Sequence, residues 1–250
     1  MILLRSVLFL ILVSLLTIPF GVLVSLATIF PMRARYAIIA AWRTGFMFLC
    51  ERVLGIRYRV LGRENIPAEP AVILSKHQSA WETVGLQEIF PPLVFVLKKS
   101  LLAIPFFGWG LAAMKMISID RKAGKDALRQ VVDQGRDRLE AGFWVVIFPE
   151  GTRVEPGHKR RYKPGGAHLA VQTGAHVVPV AHDAGEIWGK NAFLKYPGTI
   201  TVSIGPAIDS VGKSEAEINL LVEAWIEAEM HRISPHRYPD SVPAADVATG

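Results

Sequence analysis

From Arg57 onward, short apolar runs alternate with amphipathic stretches, and this alternation constrains the fold more than any other feature of the 250-residue chain. Apolar residues recur at helical spacing over 125–139 and 214–233. Seven runs have the length and composition of buried strands, at 57–61, 71–75, 93–97, 116–119, 143–148, 177–181 and 200–204. The pattern predicts an α/β fold with a mixed, largely parallel central sheet flanked by helices.

The amino terminus imposes a second constraint, because no charged residue occurs between Ser6 and Met32. That stretch is longer than the ~20 apolar residues that span a bilayer. Pro19 and Gly21 interrupt it, so the segment is predicted either to cross the membrane or to re-enter it with a kink. Its length argues against a cleaved signal peptide, although Ser25-Leu-Ala27 resembles a cleavage site.

A shorter apolar stretch at 36–50 contains Arg43 and is predicted to lie as a helix at the membrane interface. Arg33, Arg35 and Arg43 follow the first segment, whereas only Arg5 and the terminal amine precede it, which favours a cytoplasmic main domain. The proline-containing carboxyl terminus has few large apolar residues and is predicted to be flexible. The predicted divisions are a membrane anchor at 1–52, a main domain at 53–233 and a tail at 234–250.

Charge and cysteine content exclude several classes of protein. A net charge of +6 on a membrane-anchored chain suits anionic lipid headgroups, and the sequence contains no nucleic-acid-binding module. Cys50 is the single cysteine, so an internal disulfide is impossible. The histidines lack metal-ligand spacing and no dinucleotide-binding motif directly follows a strand, so we predict neither a metal nor a cofactor.

The first chemical motif follows the run at 71–75, where His77 precedes Glu82 by five residues. Ligand sites in α/β sheets gather at the carboxyl ends of strands. Ser79-Ala-Trp-Glu82 also fits a capping box, in which Ser79 is the helix N-cap and Glu82 bonds back to it. The two interpretations are compatible, because a carboxylate folded back over a helix start lies near His77 and can orient it as a general base.

The second motif, Phe148–Arg153, follows the run at 143–148. Gly151 allows a tight turn, and the Arg153 guanidinium is suited to bidentate contact with a phosphate. A surface turn with an incidental arginine is the alternative. A base combined with an anion site predicts an enzyme that acts on a phosphorylated substrate.

Over about 57–208, the order and spacing of these motifs resemble the glycerolipid acyltransferase family, especially bacterial 1-acyl-sn-glycerol-3-phosphate acyltransferases. His77–Glu82 resembles the family motif H-x4-D, with Glu82 in place of the usual aspartate. Further segments that resemble the family follow in chain order: Lys98–Trp109, Ile117–Arg121, Phe148–Arg153, Lys163–Ala170 and Val178–Val180.

The resemblance implies that His77 is the general base and that Glu82 supports it. The implied reaction moves an acyl group from acyl-CoA or acyl-carrier protein to the sn-2 hydroxyl of lysophosphatidate. It forms phosphatidate for phospholipid synthesis on the cytoplasmic side of a bacterial inner membrane, without a covalent acyl-enzyme. The implied substrate-binding residues are Lys98, Arg121 and Arg153 at the phosphate, with Glu150, Gly151 and Thr152 shaping the pocket and Glu150 fixing an arginine.

Two alternatives stay open at this point. One is another lysolipid acceptor, such as lyso-ornithine lipid, since such enzymes share the His-carboxylate pair. The other is a lipid-binding membrane protein without catalysis, in which case Glu82 marks where degeneration begins. The intact His77 and Glu-Gly-Thr-Arg string favour catalysis. The acyl donor, the preferred chain length and the oligomeric state do not follow from the sequence.

Overall fold

The computed structural model describes residues 1–120 and 123–238. Seven strands in this part of the chain form a single sheet, in the order β1-β7-β6-β2-β5-β3-β4. They are β1 Ile56–Leu61, β2 Val72–Ser75, β3 Leu93–Lys98, β4 Ile117–Ile119, β5 Trp144–Ile147, β6 Val177–His182 and β7 Gly198–Ile204. Neighbouring strands are parallel, except that β6 and β7 are antiparallel. The predicted mixed, largely parallel sheet is therefore confirmed.

Helices flank this sheet and extend from it at the amino terminus. They are α1 Ile2–Leu26, α2 Met32–Leu49, α3 Glu82–Ile89, α4 Phe107–Ala113, α5 Lys125–Glu140, α6 Gly165–Thr173, α7 Ala184–Ile187 and α8 Glu215–Ile233. Both helices predicted from apolar spacing, α5 and α8, are present. Ser214 caps α8 and forms a reciprocal capping box with Glu217, which satisfies free N–H groups of the first turn.

The three central strands place both chemical motifs at the side of the sheet formed by the carboxyl ends of the parallel strands. β2 lies between β5 and β6, and the side chains of Val72–Leu74 are wholly excluded from solvent. Strands covered on both faces are apolar throughout, which explains why these runs do not alternate with polar residues. Leu74 pairs with Ile147, so His77 and Glu150 each follow three residues beyond paired positions. The parallel register therefore brings the two motifs side by side.

Helix α1 continues as one α-helix through Pro19 and Gly21, where a kink was predicted. Pro19 leaves the carbonyl of Leu15 without its usual helical donor, and both residues lie on the exposed side of the helix. Gly21 serves a close approach instead of a break. A Cβ on Gly21 would lie 2.7 Å from the carbonyl oxygen of Phe106, at the start of α4.

Contacts hold α1 to the main domain near both ends and to α2 in the middle. Near its start, Arg5 Nε donates to the Val53 carbonyl at 2.7 Å, and the Lys195 N–H donates to Ser6 Oγ at 3.1 Å. In the middle, Trp42 Nε1 donates to Thr17 Oγ1 at 3.1 Å, and near the end α1 packs on α4. Since a 25-residue helix is ~37 Å long, α1 lies across the domain. Its outward face exposes a row of apolar side chains: Leu3, Leu8, Ile11, Leu15, Ile18 and Leu23.

The structure corrects the predicted boundary of the tail at residue 234. Ser234 is buried, and Tyr238 is also buried, with its hydroxyl accepting a hydrogen bond from Gln78 Nε2 at 3.3 Å. The chain thus stays packed through Tyr238, because an aromatic side chain there covers the loop after β2. The rest of the predicted tail, 239–250, lies outside the described residues.

Candidate active site

His77 and Glu82 form a hydrogen-bonded pair at the carboxyl end of β2. His77 Nδ1 lies 2.8 Å from Glu82 Oε1, and the histidine side chain is 15% exposed whereas the glutamate is fully buried. The chain bends between the two residues, which is what the five-residue spacing requires. Because Nδ1 is engaged by the carboxylate, Nε2 is the nitrogen available to take a proton from a substrate.

The surroundings of Glu82 favour its charged form. Its Oε1 accepts hydrogen bonds from the N–H groups of Gln78 at 3.0 Å and Ser79 at 2.8 Å. Burial opposes ionisation, but the neighbouring His182 and His77 and these backbone donors outweigh it, so the pKa of Glu82 is lowered. A carboxylate that stays ionised beside Nδ1 stabilises the imidazolium that forms when His77 accepts a proton.

The predicted capping box is half correct. The Glu82 carboxylate folds back to the Ser79 N–H as predicted, but α3 begins at Glu82 and Trp81 occupies its N-cap position. Ser79 Oγ instead accepts from the Trp81 N–H at 3.1 Å, in the turn before the helix. Ser79 therefore shapes the bend without capping the helix, and Glu82 serves both the helix start and His77.

Phe148 is a site residue whose contact the sequence did not reveal. Its ring stacks on the His77 imidazole with centroids 3.9 Å apart and planes 11° apart. The Val154 N–H also donates to the His77 carbonyl at 2.7 Å. The loop after β5 thus holds the ring and the main chain of the candidate base. The signal available in the sequence was only that Phe148 begins the second motif.

Among the described residues, the partners of Glu150 are His77 and Lys76, whereas an arginine was expected. Glu150 is fully buried, where its Oε2 accepts from the His77 N–H at 2.8 Å and its Oε1 lies 2.8 Å from Lys76 Nζ. Desolvation raises its pKa above the ordinary value. Glu150 points back beneath His77 because strands β2 and β5 are neighbours in register, so the two loops meet directly behind the site.

The remaining residues of the second motif lie at the surface of the site. Gly151 has φ +70°, a conformation that favours glycine, and a Cβ there would lie 2.8 Å from Lys163 Nζ. Thr152 and Arg153 are half-buried. The turn therefore exposes Arg153 while it hides Glu150.

A largely apolar cavity of about 290 Å³ opens beside His77. Lys98 and Arg153 line it together with His77, so two of the three cations predicted to contact phosphate share a cavity with the candidate base. The third, Arg121, lies outside the described residues. The apolar wall comes from α1, α3, α4 and β3, through residues such as Val24, Val84, Phe95, Leu97, Phe107 and Leu111.

Comparisons with known proteins identify the family. A family model described as Acyltransferase matches residues 57–183. A 1-acyl-sn-glycerol-3-phosphate acyltransferase of Pseudomonas aeruginosa is 47% identical over 98% of this chain and 97% of its own length. The chain belongs to the acyltransferase family. A 1-acyl-sn-glycerol-3-phosphate acyltransferase beta of Homo sapiens is 30% identical over 68% of this chain and 62% of its own length.

A solved structure supports the fold of this acyltransferase. It is the 1-acyl-sn-glycerophosphate acyltransferase PlsC of Thermotoga maritima, with a TM-score of 0.74 and 23% identity. The match covers 93% of this chain and 95% of that one. The predicted membership of an acyltransferase family, made from the motifs, is confirmed.

Proposed function

We propose that the protein transfers a fatty acyl group from an acyl thioester to the sn-2 hydroxyl of 1-acyl-glycerol-3-phosphate, forming phosphatidate for phospholipid synthesis. The observation that carries the proposal is the His77–Glu82 pair at the mouth of an apolar cavity that also holds Lys98 and Arg153. One cavity thus combines a base, two cations for a phosphate and apolar walls for a hydrocarbon chain. The relative from Pseudomonas aeruginosa bears the name of this activity.

In the proposed reaction, His77 Nε2 takes the proton of the acceptor hydroxyl as its oxygen attacks the thioester carbonyl. Glu82 stabilises the imidazolium through Nδ1. The tetrahedral intermediate collapses with loss of the thiolate, which takes the proton back from His77. The products are the ester and the free thiol, and His77 returns to its starting form. No side chain of the protein becomes acylated, so a nucleophilic serine or cysteine is not required.

We also propose that the protein works at the cytoplasmic face of a bacterial inner membrane, with α1 lying in one leaflet. The segment Ile2–Ile29 is long and apolar enough to cross a membrane, and only 17% of its most apolar 18-residue stretch is buried. However, both ends of α1 contact the main domain. A helix that crossed the bilayer would carry one of its ends away from a domain on one side, so the contacts favour a helix held in one leaflet over one that crosses the bilayer.

The direct test of the proposed function is an acyl-transfer assay on the detergent-purified protein. Lysophosphatidate is supplied with either acyl-CoA or acyl-carrier protein, and the lipid products are identified by mass spectrometry. Phosphatidate formed with one donor and not the other assigns the donor. If folded protein forms none with either donor, the acceptor is wrong, and lyso-ornithine lipid is the next acceptor to test.

Arg153→Ala is expected to raise the KM for lysophosphatidate about 10-fold or more, with a smaller change in kcat. A charge-assisted hydrogen bond contributes ~1.5–3 kcal/mol, and 1.4 kcal/mol corresponds to a factor of ten. Steady-state kinetics in mixed micelles measures both constants. Arg129→Ala is the matched control, because it removes an exposed arginine of α5 that pairs only with Asp133 among the described residues. An unchanged KM would remove Arg153 from the phosphate site.

Gly110→Leu is expected to shift the preference of the enzyme towards shorter acyl chains. Gly110 lines the cavity, and the nearest atom to a Cβ there is Val24 Cγ1 at 3.6 Å, so the larger side chain fits but fills space. The measurement is the relative rate with donors of 8 to about 18 carbons, compared with Ala112→Leu on the exposed face of the same helix. An unchanged chain-length profile would mean that the acyl chain lies elsewhere.

A further inference from the structure

A buried cluster of charges lies directly behind the candidate base. Lys76 precedes His77, and its side chain is wholly excluded from solvent. Its Nζ lies 2.8 Å from Glu150 Oε1 and 2.9 Å from Glu227 Oε1, so one ammonium group bridges two carboxylates. The hydroxyl of buried Tyr162 donates to the same Glu227 oxygen at 3.1 Å. None of these groups faces the cavity, so the reaction as derived above does not use Lys76, Glu227 or Tyr162.

The cluster is connected to the main chain on which His77 is carried. Glu150 uses one oxygen for Lys76 and the other for the His77 N–H. The Lys76 carbonyl accepts from His182 Nε2 at 2.8 Å, and the Lys76 N–H donates to the Val180 carbonyl at 2.9 Å. The peptide that leads into His77 is therefore held by β6 on one side and by the ion cluster on the other.

Helix α8 supplies the outer end of this connection. Glu227 lies in the middle of α8, 151 residues from Lys76 in the chain and beyond the residues 57–183 that the family model matches. Buried ion pairs cost desolvation energy and are often no more stabilising than apolar residues of the same size. Stability alone therefore explains poorly why one buried ammonium lies between two carboxylates. The arrangement does fix the positions of the three charged groups relative to one another.

We propose that Glu227 and Lys76 are positioning residues, which act through Glu150 to hold the His77 main chain at the angle required for proton transfer. The proposal rests on the proposed function in that His77 is the base. Glu227 Oε1 holds Lys76 Nζ, Lys76 holds Glu150 Oε1, and Glu150 Oε2 holds the His77 N–H. Loss of the Glu227 charge removes one of the two carboxylates that hold Lys76 Nζ, which allows Lys76 and Glu150 to move together.

The test is Glu227→Gln, which keeps the shape of the side chain and removes its charge. We expect kcat to fall about 10- to 100-fold, since misplacement of a catalytic group by about 1 Å costs up to 10²-fold. KM for lysophosphatidate should stay within about twofold of the parent value, because Glu227 does not line the cavity. Glu227→Asp, which restores the charge, should recover most of the lost kcat.

Glu223→Gln is the matched control. Glu223 lies one turn earlier on α8 and pairs with Lys159 at the surface, at 2.8 Å. The Glu223→Gln variant loses the same charge from the same helix, and its kcat and KM should equal those of the parent. Parent-like kcat in folded Glu227→Gln would overturn the proposal. So would a loss of activity that merely follows the fraction of unfolded protein in a thermal melt.

Hydrogen exchange gives a second measurement that needs no activity. Peptides covering 76–79 should exchange faster in Glu227→Gln than in Glu223→Gln, while peptides from β3 and α5 exchange alike in both. If the parent protein forms no product in the transfer assay, the proposed function is contradicted. If hydrogen exchange at 76–79 is unchanged in Glu227→Gln, the positioning role is contradicted. If Glu227→Gln does not fold, Lys76→Met/Glu227→Gln removes both charges of the outer ion pair, and parent-like kcat in that variant also overturns the proposal.

Discussion

His77→Ala is expected to lower the rate of acyl transfer by about 10³-fold or more, while the protein stays folded. General-base catalysis contributes ~10²–10⁴-fold, and no other described side chain at the cavity pairs with a buried carboxylate as His77 does. The fold should survive because the ring lies at the end of β2, beside the cavity, outside the apolar core. The measurement is phosphatidate formation under saturating substrate, together with the midpoint of thermal unfolding.

His176→Ala is the control for this substitution. His176 is exposed and lies at the opposite, amino-terminal end of β6, so its loss should leave the rate unchanged. Near-parent turnover by folded His77→Ala would show that another group removes the proton. The assignment of the base would then be wrong, although membership of the family would stand.

Glu82→Gln is expected to reduce kcat about 10³-fold, and Glu82→Asp to reduce it by about 10-fold or less. An amide keeps the size of the side chain but lacks the negative charge that stabilises the imidazolium, and a neutral replacement in such a pair costs up to ~10⁴-fold. The amide also replaces one of the two carboxylate oxygens with an NH2 group, whereas both oxygens now accept from the Ser79 N–H. Aspartate retains the charge with a shorter reach, and it is the residue that the family motif usually has.

Comparison of the two Glu82 variants separates the catalytic role from the helix-start role. Both roles use the same carboxylate, so stability and activity must be measured on the same preparations. Equal kcat in Glu82→Gln and Glu82→Asp would mean that Glu82 only organises the start of α3. If kcat differs greatly between the two folded variants, the negative charge of Glu82 is what supports His77 in catalysis.

Local sequence patterns predicted the sheet and the two chemical motifs. Runs such as 71–75 and 143–148 are apolar because central strands are covered on both faces, so each run identifies its strand without knowledge of its neighbours. The five-residue spacing of His77 and Glu82 was informative because the contact between them is also local. Phe148–Arg153 was recognised as a unit, but the opposite directions taken by Glu150 and Arg153 were not.

The contacts that the sequence did not predict join distant segments. Pro19 and Gly21 indicated a break in α1, whereas Gly21 allows close packing on Phe106 in a helix that continues past Pro19. The apolar stretch at the amino terminus was assigned to the membrane alone, yet Val24 on α1 forms part of the cavity wall. A sequence pattern shows that a face is apolar, but it does not show whether lipid, protein or substrate will cover it.

The sequence by itself determined the class of sheet, the position of the candidate base and of the carboxylate that pairs with it, and the family. Each of these depends on residues close together in the chain, or on motifs whose order is preserved. The tertiary structure decided that α1 lies across the domain, that Lys98 and Arg153 share a cavity with His77, and that Glu227 reaches Lys76. These features depend on the packing of elements far apart in the chain, because only packing determines which side chains share an enclosed space.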